Sequence, residues 1–143
     1  MTIRAPSLAT DFWELESGED RHAATPETFW LPNEAVRKSL ERGTAAKLIF
    51  MIKTKNENGQ SEISTERMWV VVSETVGDLY IGRLTNQPAT VERDDNMYLQ
   101  VDCEVPFGPE HVIDTDDPPQ DFIDHLFAEP PAKCWTEREQ SNV

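Results

Sequence analysis

The sequence predicts an α+β domain: a curved antiparallel sheet of four to six strands with one N-terminal helix packed on a face. Three observations carry that expectation. Residues 45–84 hold apolar runs separated by Asn-Gly and Gly-Asp dipeptides, the punctuation of β-hairpins. Residues 33–42 carry a helix start and stop in the right order. Residues 97–105 alternate apolar and polar side chains without a break.

Taken in order, residues 1–28 read as an irregular acidic arm whose apolar knot is Phe12, Trp13 and Leu15. A single α+β domain then spans 29–115. Its helix begins at Asn33, a good N-cap behind Pro32, with Glu34 in the first turn. Arg37, Lys38 and Arg42 lie towards its end and Gly43 just beyond, which complements the helix dipole and supplies a stop.

Ala45 to Lys55 reads as a strand with Leu48, Phe50 and Ile52 on one face and Ile49 and Met51 on the other. The chain turns at Asn56-Glu57-Asn58-Gly59 and returns through Ile63 into Glu66–Leu84. There Met68, Val70 and Val72 oppose Trp69 and Val71, and Val76-Gly77-Asp78 makes a second turn. Both faces of this meander are apolar, so both should be covered. Met97, Leu99, Val101, Cys103 and Val105 then mark one face of a half-buried strand, with Tyr98, Gln100, Asp102 and Glu104 on its wet face. Residues 116–143 form an acidic, proline-containing tail. Phe122, Ile123, Leu126 and Phe127 have the spacing of a short docked helix, and the last eight residues read as frayed. Trp69 belongs to the core by pattern, while Trp13, Trp30 and Trp135 flank the sheet and should cover its edges.

At 143 residues the chain can bury a core without disulfide or metal staples. Its two cysteines, Cys103 and Cys134, have no metal-ligand spacing. The formal net charge is −14, and residues 92–143 carry −11 of it. Phosphate and anionic lipid surfaces call for clustered Lys and Arg, so this balance disfavours nucleic acid and membranes as partners and suits a basic protein. The N-terminus shows no signal peptide and the chain no membrane span, which makes a cytoplasmic location the expectation.

Phosphate-binding Gly loops, zinc-protease helices, nucleophile elbows and paired-cysteine zinc patterns are all missing from the sequence. The best catalytic candidates are His111 and Asp114, with Asp102 across the sheet. Imidazole and carboxylates of that kind can hold a divalent metal or share proton transfer in a hydrolase. The reading preferred on charge is a non-catalytic protein-binding module. Its acidic residues Asp102, Glu104, Glu110, Asp114, Asp116 and Asp117 would dock onto a basic partner surface, in the manner of an inhibitor or immunity factor. No cofactor is implied, and the chain is expected as a monomer or weak homodimer; a structural homo-oligomer subunit is the remaining alternative.

The order Met68-Trp69-Val70-Val71-Val72, then Gly82-x-Leu84-x-Asn86-x-Pro88, then Ile113-Asp114, resembles the YegJ-like bacterial domain of unknown function over residues 45–115. The resemblance implies a small α+β domain of bacterial origin with no known cofactor and no activity to inherit. Thr115 stands where that family often has Trp, and the Gly-Asp turn that often precedes its last strand is missing. Gly82 in a strand points to close approach by a large neighbour, and Asn86 and Pro88 to a turn with a set exit direction.

Overall fold

A computed structural model describes residues 3–92 and 96–135. It is an α+β fold built on one curled antiparallel sheet. In chain order the elements are α1 (Leu8–Asp11), β1 (Trp13–Glu16), α2 (Gly18–Ala24), α3 (Glu34–Arg37), β2 (Ala45–Lys55), β3 (Ser61–Val76) and β4 (Leu79–Leu84). Then come β5 (Glu104–Phe107), a 3₁₀ turn at Pro109–His111, β6 (Asp114–Asp116) and α4 (Gln120–Phe127).

The sheet runs β1-β2-β3-β4-β5, with β6 added to β2. β2 is its axis. One edge of β2 pairs along its whole length with β3, from Ala45 opposite Val71 to Lys55 opposite Ser61. Two short strands divide the other edge: β1 pairs with Ile49–Ile52 and β6 with Ala45–Lys47. Nearly every backbone donor and acceptor of the central strand can thus find a partner, which a buried strand requires.

Both faces are covered, as the apolar runs predict. Leu48, Phe50, Ile52, Met68, Val70 and Val72 line the main core with Phe107, Leu99, Cys103 and Trp135. The outer face is covered in two places. Phe29 packs on Ile49 and Ile113, and α4 sets Ile123 on Ala45 and Val71. A Cβ on Gly82 would come 2.8 Å from Val70 Cγ2 and 3.2 Å from the Phe107 ring, so that glycine lets two core side chains meet over β4.

Four expectations are corrected. The arm is not irregular: Trp13 and Leu15 belong to β1, and Trp13 is fully buried in an aromatic cluster with Phe50, Tyr98 and Trp135. Its indole N–H is buried with no hydrogen-bond acceptor among the described residues, and its ring lies at 76° to that of Trp135. Phe12 beside it is half exposed, in a left-handed conformation at φ 68°.

Secondly, the helix from Asn33 lasts one turn instead of reaching Arg42. Asn33 does cap it, its side chain accepting from the Val36 N–H. Tyr80 then ends it, its hydroxyl donating to the Arg37 carbonyl at 2.7 Å and accepting from the Leu40 N–H. Val36 is exposed as a result and Leu40 enters the main core. Among the described residues the longest helix is α4, in the acidic tail.

Thirdly, Met97–Val105 is not a strand; Cys103 makes an isolated bridge with Lys133, and pairing with β4 starts at Glu104. Asp102 adopts φ 71°, which breaks the extended run. Leu99, Cys103 and Val105 are nonetheless buried, as the alternation requires. Lastly, the domain does not stop at residue 115: β6 crosses that boundary, the expected tail helix docks as α4, and Trp135, 3% exposed, lies in the main core. The expectation of frayed final residues lies outside the described residues.

Candidate functional site

The residues proposed for chemistry do not converge. Asp102 is held away from His111 by Arg83, whose Nε and second guanidinium nitrogen donate to Asp102 Oδ1 at 2.8 and 2.7 Å. Its other oxygen accepts the Ala132 N–H. His111 sits at the end of the 3₁₀ turn, where Nδ1 accepts the Gly108 N–H at 3.0 Å. Burial pushes the His111 pKa below its ordinary value, against the pull of Glu110 and Glu19, so the neutral ring with its proton on Nε2 is the fitting form. Asp114 lies on β6 and accepts the Thr115 N–H. None of the hydrogen bonds or ion pairs between described residues links His111, Asp114 and Asp102, and no three His, Cys, Asp or Glu side chains among the described residues gather as a metal site.

His111 does face a cavity of about 260 Å³, walled by Ile3, Pro6, Leu15, Phe107 and Glu110. Residues 3–6 form one wall of this cavity. Arg4 pairs with Asp11, donating to both carboxylate oxygens at 2.8 Å, and holds that carboxyl below its usual pKa. The Arg4 carbonyl accepts the Trp135 indole N–H, and its guanidinium lies over the same ring. Arg4 and Trp135, far apart in sequence, are therefore tied together. The cysteines are both free thiols; burial pushes Cys103 up to about 12, which leaves it inert at neutral pH, while Cys134 is exposed.

The six residues proposed for partner docking divide in two. Asp102 and Glu104 serve the fold: Asp102 neutralises Arg83, and Glu104, 5% exposed, accepts the Trp135 backbone N–H at 2.9 Å. Glu110 and Asp114 are half-buried. Only Asp116 and Asp117 stand fully in solvent.

The structure adds to those two. Asp121 and Asp124 are exposed on α4, directly after β6 in the chain. No ion pair joins Asp116, Asp117, Asp121 or Asp124 to any described residue; Asp124 accepts from Gln120, and Asp121 caps the N–H of Phe122. Beside Asp116, between α4 and the outer face of the sheet, is an open groove of about 360 Å³. Trp69, Val71, Pro118, Pro119 and Phe122 line it, with Asp116 at its edge. Reading the sequence alone missed this groove. The helical spacing of Phe122, Ile123, Leu126 and Phe127 was its signal, because four large apolar residues over two turns cannot all point inward. Ile123 takes the buried position and Phe122 is left 45% exposed.

No helix among the described residues is long and apolar enough to cross a membrane. Comparison with family models, with curated proteins and with solved structures finds no match, so the reading of this surface rests on its own chemistry.

Proposed function

We propose that this domain is a non-catalytic protein-binding module that docks onto a basic partner surface, as an inhibitor or immunity factor does. The observation that carries the reading is the set of four exposed aspartates on β6, α4 and the loop between them, Asp116, Asp117, Asp121 and Asp124, which the fold leaves without cationic partners among the described residues. By contrast Asp11, Glu16, Glu19 and Asp102 are ion-paired, with Arg4, Arg21, Arg37 and Arg83 respectively. Exposed like charges close together repel one another and add nothing to folding, but they steer an oppositely charged surface during encounter.

The test begins with affinity capture of a partner from the native cell, followed by stopped-flow association. The association rate constant should fall by about tenfold or more from low to high ionic strength. Asn at Asp116, Asp117 and Asp124 together should slow association while leaving dissociation little changed. A rate indifferent to salt and to these substitutions would overturn the reading.

A further inference from the structure

We infer that the groove between α4 and the outer sheet face is an anchor site for one large apolar side chain on a Lys- or Arg-bearing segment of a protein partner. This rests on the docking reading above and names its centre. The outer face of the sheet is closed by Phe29 on one side and by Ile123 on the other. Between them Trp69 is only half-buried, and with Val71, Pro118, Pro119 and Phe122 it lines an opening of about 360 Å³, the low end of the size that holds a small ligand. Its walls are aromatic, aliphatic and proline, so an apolar side chain is what it would desolvate at least cost.

Charge decides what flanks that side chain. Asp116 lines the groove, Asp117 adjoins Pro118, and Asp121 adjoins Phe122. Two cations lie nearby: Lys47, whose ammonium lies over the Trp69 ring and whose cross-strand neighbour is Asp114, and Arg42, which lines the adjoining pocket with Asp117 and Asp124. An acidic segment would meet like charge at Asp116, the one charged residue among the described residues lining the groove, and a neutral one would leave that carboxylate unpaired. A basic segment with an apolar centre matches both parts, giving an interface with an apolar anchor and a charged rim.

Two capped pentapeptides test the inference, Lys-Arg-Leu-Arg-Lys and Lys-Arg-Ala-Arg-Lys, titrated into the full chain at low salt and followed by amide and indole NMR shifts. The leucine peptide should bind about tenfold more tightly, for the extra side-chain carbons it buries. Its shifts should centre on Trp69 and Phe122. Phe122→Ala, at an exposed position that should leave the fold intact, should erase the leucine preference and keep the weaker alanine-peptide binding. Asp116→Asn with Asp117→Asn should weaken both peptides alike.

Equal binding of the two peptides, with salt-dependent shifts on the carboxylates alone, would overturn the anchor site and spare the acidic docking reading. Failure of both peptides to bind would sink both. A concentration-dependent dimer in sedimentation, abolished by Phe122→Ala, would assign the groove to a second copy of this chain and overturn the inference.

Discussion

Two ionisable residues show at the scale of single side chains which charges this fold depends on. Arg83 is 5% exposed in its side chain, and its guanidinium is satisfied by Asp102 and by the Glu129 carbonyl at 2.9 Å. Its removal leaves Asp102 without its cation and cuts the tie between β4 and the segment after α4. Arg83→Met should cost about 3 kcal/mol, the usual range for breaking a buried pair from one side. Asp102→Asn should cost more, because it leaves a guanidinium that is 5% exposed without its counter-charge, whereas Arg83→Met leaves a carboxylate that is 29% exposed. Denaturant midpoints of the two variants give the order directly; equal costs would show that the pair carries no burial penalty. His111 sets a pH dependence of definite sign. Its folded pKa lies below the ordinary 6.5, with burial as the main cause. Protons therefore prefer the unfolded chain. Its contribution is complete above about 6.5, is lost as pH falls from there to the folded pKa, and is flat below it. Asn in place of His111 can still accept the Gly108 N–H and does not titrate. The slope of unfolding free energy against pH should be shallower in His111→Asn between about 7 and 5, and an unchanged slope would remove His111 from the account.

At the scale of elements, β1 shows what local pattern can and cannot reveal. Trp13 and Phe12 are adjacent aromatics in an acidic stretch, and composition treats them alike. Pairing of Trp13 with Ile52 turns one into the centre of the core and leaves the other at a left-handed helix end. Trp13→Ala should therefore cost about 3–5 kcal/mol by chemical denaturation. Phe12→Gly should stay within about 1 kcal/mol of the parent, since relief at φ 68° offsets the half-buried ring. Similar costs at both positions would mean that β1 does not hold the sheet as described. The meander from Ala45 to Leu84 was legible because each strand announces itself locally and two strong turn dipeptides set its registers. β1, β6 and Trp135 were not, because each is placed by partners far away in sequence. Residues 97–105 fall between these cases. Their alternation correctly marks Leu99, Cys103 and Val105 as inward, but burial with period two does not require an extended chain once Arg83 and Ala132 pull Asp102 out of line.

Across the whole molecule the charge of −14 is itself a force, and its uneven placement makes a stability test of function possible. Carboxylates that build the fold lower its stability when neutralised, as argued for Asp102. Carboxylates kept for a partner are repelled by their neighbours and should behave the other way. Asp116, Asp117 and Asp124 are exposed and unpaired among the described residues, so Asn at all three should raise stability by about 1 kcal/mol, or about 3 °C in thermal midpoint for a chain of this size. Asp121 is left in place because an acid in the first turn of α4 favours that helix. Added salt should raise the parent's midpoint more than the variant's, since the repulsion it screens has been removed. The result separates two origins of the acidic surface. A rise on neutralisation means that these three aspartates are held against the interest of the fold, as a docking surface requires. A fall of 1 kcal/mol or more would place them in the folding balance with Asp102 and Glu104, and the proposed binding surface would lose its main support.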